Sequence, residues 1–182
     1  MTTISRCFLT GLLLATVGCG DLLKESVPEP ISFINGRFSF LKPAGWSKVE
    51  GLNEAADLQM GNHAKEAYIV ALTEPKLDFD NISVEEHSQL TRDVMRGNLE
   101  KFTEDDGETM TINGMPAIRY VLHGTVSRVK VKYWHVTVAS SEHFTQILIW
   151  SRPSKFPNNE EEFNTPLMSF EENGSTRSKT PE

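Results

Sequence analysis

Residues 108–150 read ETMTINGMPAIRYVLHGTVSRVKVKYWHVTVASSEHFTQILIW. Asn113-Gly114 is a hairpin signal, because a two-residue turn needs positive φ at both central positions. It separates a strand over Glu108–Ile112 from one over Pro116–His123. A third strand is expected over Val129–Ala139 and a fourth over His143–Trp150. Val129, Val131 and Tyr133 alternate with Lys130 and Lys132, the period of two that a strand imposes. The stretch therefore predicts an antiparallel meander.

Upstream, Ser83–Phe102 predicts one long helix. Ser83 and Glu86 have the spacing of a capping box, and Glu85 and Glu86 suit the positive end of the helix dipole. Leu90, Val94, Met95, Leu99 and Phe102 recur at helical spacing as an apolar stripe, with Arg92, Arg96 and Lys101 facing elsewhere. Further upstream, Asn35-Gly36 joins two short apolar runs, Ile31–Ile34 and Arg37–Leu41, as a hairpin. Strands are expected over Asp57–Met60 and Ala67–Thr73. The second, AYIVALT, is apolar enough for a central strand buried on both faces. Phe156–Phe170 predicts a final helix, acidic at Glu160–Glu162 and disturbed by Pro166. This order gives an α+β fold, a mostly antiparallel sheet flanked by helices.

Phe38-Ser39-Phe40-Leu41-Lys42-Pro43-Ala44-Gly45-Trp46 resembles the opening F-x-F-x-x-P-x-G-W strand and turn of the PsbP-like superfamily. That group includes extrinsic photosystem II subunits, Mog-type Ran-binding proteins and DcrB-type bacterial lipoproteins. The Ile112–Ala117 hairpin with Tyr120 and Gly124, and the closing Phe163…Ser169-Phe170, are similar to it as well. The resemblance covers Phe33–Phe170 and implies a sheet sandwiched by helices. It carries over no catalytic residue, since the family shares none, and it implies a binding or assembly role.

The N-terminus reads as an address. Met1–Arg6 carries one positive side chain, and Cys7–Val17, CFLTGLLLATV, is too short to span a bilayer but suits the apolar region of a leader. Thr16-Val17-Gly18-Cys19 resembles the lipobox of bacterial lipoproteins, with threonine where leucine is usual. The resemblance implies cleavage before Cys19 and acylation of its thiol. Two or more acyl chains give a stable hold on a bilayer, because each buried CH₂ contributes about 0.8 kcal/mol. A plain leader cut nearby is the alternative, and it would leave an unpaired thiol at Cys19. The expected layout is a leader over 1–18, a lipidated tether over 19–30, a globular domain over 31–170 and a disordered tail over 171–182. The domain would sit outside the cytoplasm, on the periplasmic side, with the membrane as its first partner.

The formal net charge is −7, which argues against a nucleic-acid partner. Both cysteines, Cys7 and Cys19, precede the domain, so it has no disulfide framework. His63, His87, His123, His135 and His143 show no zinc-ligand spacing. Asp78-Phe79-Asp80-Asn81 begins like a calcium loop but has Ser83 where glycine is needed and Gln89 where glutamate is needed. There is no G-x-S-x-G motif and no phosphate-binding glycine loop, and Ser140-Ser141 falls in a turn. No catalytic residue, metal or cofactor is therefore expected. Arg128, Lys130 and Lys132, with Arg119 across from them, form a local basic stripe on an acidic chain. It reads either as a solvated sheet face or as a dock for an acidic partner or anionic headgroups. The functional expectation is a lipid-anchored, non-enzymatic binding or assembly factor for an envelope complex. A ligand- or ion-binding lipoprotein and an enzyme with an unrecognised site are the alternatives.

Overall fold

The computed structural model describes residues 27–173. The leader, Cys19 and most of the tether lie outside the described residues, as does the tail beyond Asn173. The elements run β1 (Glu29–Phe33), β2 (Phe38–Lys42), β3 (Ser47–Lys48), β4 (Leu58–Asn62), β5 (Ala67–Pro75), α1 (Val84–Asn98), β6 (Glu100–Glu104), β7 (Glu108–Ile112), β8 (Met115–Val126), β9 (Val129–Ala139), β10 (His143–Ser151), α2 (Phe156–Met168) and β11 (Glu171–Glu172). The expected α+β fold with an antiparallel sheet is what the chain forms. The large sheet has the order β3-β4-β5-β10-β9-β8-β6, with β7 also paired to β8. A small sheet, β1-β2-β11, lies apart from it.

Residues of alternating parity separate two layers. Trp134, Val136 and Val138 of β9 join Ile147 and Ile149 of β10 in the main core, under Phe156, Phe163 and Leu167 of α2 and the phenylalanines of the small sheet. Val131 and Tyr133 point to the opposite face, where Leu99 and Leu122 complete a much smaller cluster beside α1. Burying a large apolar side chain contributes about 1.5–3 kcal/mol, so the α2 layer carries most of the stabilisation.

The turns follow their chemistry. Asn35-Gly36 and Asn113-Gly114 all take positive φ, and Ile112 lies directly across from Met115. The capping box of α1 forms as expected, with Ser83 Oγ accepting from the Glu86 amide and the Glu86 carboxylate accepting from the Ser83 amide.

Three expectations need correction. The helix does not reach Phe102. It stops at Asn98, after Gly97-Asn98, and Glu100–Glu104 becomes edge strand β6 against β8. Leu99 sits so close to Gly124 that a Cβ there would lie 2.9 Å from the Leu99 Cβ. A side chain at 124 would collide with Leu99, so glycine there lets the start of β6 pack closely on β8. Secondly, the faces of α1 are not those the periodicity implied. Leu90 and Val94 are 51% and 66% exposed, whereas His87, Ser88 and Arg92 are buried. Arg92 is held inside by Glu104, 2.5 Å away on the strand that the sequence reading missed. Thirdly, Glu171–Glu172, assigned to the tail, pair with Ser39 and Phe38. Glu29 and Pro30, assigned to the tether, already pair with β2.

The registers also define two ends. One end holds the β8–β9 turn at Ser127-Arg128, the Ser151-Arg152 corner and the β4–β5 turn. The other holds the β9–β10 turn and the start of α1, where His87 meets Glu74. β2 begins at the second end, since Arg37 pairs with Glu142. It runs toward the first, where Ser47 lies across from Gly61, which pairs with Tyr68 opposite Trp150. Because Glu29 lies opposite Lys42, at the end of β1 away from Arg37, the chain enters from the side away from the β9–β10 turn.

Candidate functional site

α1 rests chiefly against β8, β9 and β10, and a gap remains between it and the segment before β4. The result is a cleft of about 630 Å³ between α1, β5 and β10, and the 49–57 segment. Val70, Leu72, Leu148 and Trp150 form its floor, and Val94 and Met95 line the helix side. Gln59 Oε1 shapes the far wall by accepting from the amides of Leu52 and Asn53 at 2.8 and 3.0 Å. Asp57 fastens the same segment to β5 by accepting from the Thr73 amide at 2.7 Å. Burial pushes the Tyr133 phenol up to about 12, so it stays a neutral donor beside the cleft. Among the described residues, Asp57 and Glu74 are the charged ones lining this space, and no lysine, arginine or histidine does.

The cleft backs onto a buried polar layer beneath α1. His135, fully buried on β9, has Nε2 at 3.0 Å from Thr91 Oγ1 and 2.9 Å from Gln146 Nε2. The Gln146 amide nitrogen can only donate, so His135 Nε2 accepts from it. Burial drives the pKa of His135 down to about 3, helped by the nearby Arg92 charge. His87 stacks on Phe144 at 4.4 Å and reaches Glu74 at 2.9 Å. Its pKa is also lowered, with burial outweighing the carboxylate. Arg92 lies 3.5 Å above the Tyr120 ring and bonds Glu104 and Gln89. Among the described residues, Ser88 Oγ, Thr137 Oγ1, His135 Nδ1, His87 Nδ1 and Arg92 Nε find no hydrogen-bond partner. Helix–sheet interfaces are normally apolar or fully paired, so this layer is held together weakly for its area.

Sequence reading did not find this layer. Its signal was present in the polar residues of otherwise apolar strands, namely His135 and Thr137 on β9 and Gln146 on β10, all directed to one face. The cleft had no such signal, because it depends on how far α1 extends over the sheet.

The strand histidines do not converge. His135 faces α1, His123 is 4.0 Å from Asp105 near the opposite edge of the sheet, and His143 packs edge-on against Phe38. Among the described residues no group of three His, Cys, Asp or Glu side chains could hold a metal ion. Ser140 Oγ accepts from the His143 amide at 3.2 Å in the β9–β10 turn.

Of the basic residues singled out in the sequence, Arg119, Lys130 and Lys132 lie on the α2 face of the sheet, whereas Arg128 sits in the β8–β9 turn. Arg119 pairs with Glu108 at 2.5 Å and lies 4.5 Å over Trp134. Lys132 covers the Phe156 ring at 4.4 Å. Arg128 and Lys130 are exposed and line a shallow depression with Arg152 and Pro153.

No family model matches the chain, and no curated protein matches it in sequence. Solved structures do. The solution structure of cyanobacterial PsbP (CyanoP) from Synechocystis sp. PCC 6803 superposes with a TM-score of 0.61 at 13% identity, covering 85% of this chain and 97% of that one. The Saccharomyces cerevisiae Ran-binding protein Mog1p gives a TM-score of 0.57 at 10% identity, with 80% and 95% covered. LpqN of Mycobacterium tuberculosis, described as involved in cell envelope biogenesis, gives 0.58 at 14% identity, with 79% and 89% covered. At such identities the likeness is one of fold, and the chain has the PsbP-like fold that its sequence motifs resembled.

Proposed function

We propose that this chain is an envelope protein, held to a membrane through Cys19, that binds a partner without transforming it. The binding site in this reading is the cleft beside α1. One observation carries it: a cleft floored by half-buried Leu72 and Trp150 over buried Val70 and Leu148 is bordered by exposed Val94 of α1. Apolar surface in that arrangement is a usual mark of an interaction site. The sequence supports the address with its leader and Thr16-Val17-Gly18-Cys19. The likeness to LpqN and CyanoP is compatible with an envelope or assembly role. None of the groups lining the cleft forms a nucleophile–base pair, so binding is the simpler chemistry for it.

The cleft volume favours a second reading. About 630 Å³ lies within the range of small-molecule sites, so an amphiphile could occupy it, with Thr91 and Gln146 as polar contacts. One experiment separates the two. The protein is extracted from its native membrane, its intact mass is measured, and a photocrosslinker placed at Val94 reports what lies over the cleft. Acyl chains on Cys19 together with one stoichiometric protein adduct are the expected result. A retained small molecule without a protein adduct would favour the second reading, and an unmodified N-terminus would remove the anchor.

A further inference from the structure

We infer that the end of the domain carrying the β8–β9 turn is a docking face for the anionic headgroups of the bilayer. The inference rests on the tethered reading above.

The first argument is position. The chain enters the domain at Glu29, opposite Lys42, on the side away from the β9–β10 turn and thus facing the half that holds Ser127-Arg128 and Arg152. Few residues separate Cys19 from Glu29, and each spans at most about 3.6 Å. An anchor at Cys19 therefore keeps this end within reach of the headgroups.

Charge is the second. Among the described residues Arg128, Lys130, Lys132 and Lys155 form no ion pair, and all four lie at or beside this end. Arg152 adds a fifth cation and pairs with Glu66 at 3.1 Å, with its side chain still 56% exposed. At the far end stand Asp78, Asp80, Glu85, Glu86, Glu142 and Glu171. This end thus forms a local basic pole on a chain of net charge −7, with Glu100 beside it across from Thr125, while Arg37 and Lys76 lie at the other end. Near an anionic surface such a pole turns inward, and each Lys or Arg at the surface strengthens binding about fivefold.

The third argument is the turn itself. Ser127 and Arg128 take φ of 48° and 70°, a two-residue turn that Asn-Gly would form with less strain. The flanking Val126 and Val129 are 42% and 40% exposed. Valines at the tip of a hairpin, next to free cations, match the chemistry of the headgroup region, where short apolar side chains reach below the phosphates that bind the cations.

The test uses the membrane-extracted protein, with its N-terminal mass verified and an environment-sensitive dye on Ser127→Cys. It is reconstituted into vesicles of phosphatidylcholine alone and into vesicles with added phosphatidylglycerol. The dye is expected to move to an apolar environment in the anionic vesicles only, and to return to water in molar salt. Arg128→Glu with Lys130→Glu should lower the ratio of docked to undocked dye about thirtyfold or more while thermal unfolding is unchanged. Equal spectra in both vesicle types, or no effect of the double reversal, would overturn the inference. So would a dye response that appears in native membranes but not in pure anionic lipid, since a protein would then be the acceptor. A missing acyl group shows in the mass, independently of the dye. In that case the same protein added to preformed vesicles still tests the pole.

Discussion

His135 shows how one side chain couples packing to solution conditions. Its imidazole is enclosed by Thr91, Gln146 and Tyr120, and the groups with charge facing this layer are Arg92, His87, Glu74 and Glu104. Burial lowers its pKa to about 3, against about 6.5 when unfolded. Between those values the unfolded chain binds a proton that the folded one does not, so stability falls as pH falls through 6.5 and continues to fall toward 3. The slope is about 1.4 kcal/mol per pH unit for one such group. His87, lowered in the same direction, adds to it. Urea midpoints measured from pH 7 to pH 4.5 should therefore drop steeply, and His135→Gln should lose about one proton's share of the slope. An identical slope in the variant would mean that the imidazole is already charged in the fold.

The elements differ in how much of them the residues announce. The meander was legible because Asn113-Gly114 and the Val129–Tyr133 alternation are local signals, fixed by φ preference and by the pleat. α1 was legible as a helix from its capping box. Its buried face was not, because periodicity ranks side chains by apolarity and cannot know that Glu104 will stand across from Arg92. β6 was hidden for a related reason. Leu99 and Phe102 continue the helical spacing, and only the close approach of Leu99 to Gly124 shows that the chain has already turned. The Arg92–Glu104 pair holds α1 to this edge, and Arg92 is only 4% exposed. Removing one partner from a buried pair leaves a charge without a counterion, at a cost of several kcal/mol when both are fully enclosed. Glu104 is partly solvated, so Glu104→Gln should destabilise by about 2 kcal/mol. Adding Arg92→Met should recover part of that loss, because neither charge then remains buried. The chemical denaturation of the two single variants and the double variant checks this. Strict additivity would show that the pair contributes no coupling.

At the scale of the whole molecule, two unequal layers share one sheet. On the α2 side, Phe38, Phe40, Phe156, Phe163 and Phe170 are essentially closed to solvent and interleave with Trp134 and the β5 and β10 side chains. On the α1 side the buried apolar cluster of Leu99, Leu122, Val131 and Tyr133 is much smaller, and it adjoins a polar layer with unpartnered atoms. Opening free energy scales with the apolar area and hydrogen bonds released, so α1 should detach at far less cost than α2. Hydrogen exchange at neutral pH should show this as an ordered series. The amides of α1 and β6 should exchange together first, those of α2 and the central strands β5, β9 and β10 last and near the global limit. The cleft enlarges when α1 lifts, which exposes His135, Thr137 and Gln146 to whatever occupies it. A bound partner that touches α1 and the sheet floor together would hold the layer closed, raising protection in α1 while leaving α2 unchanged. Equal protection in both helices of the free protein would mean that the polar layer is bridged by ordered water and that α1 is as fixed as the rest of the fold.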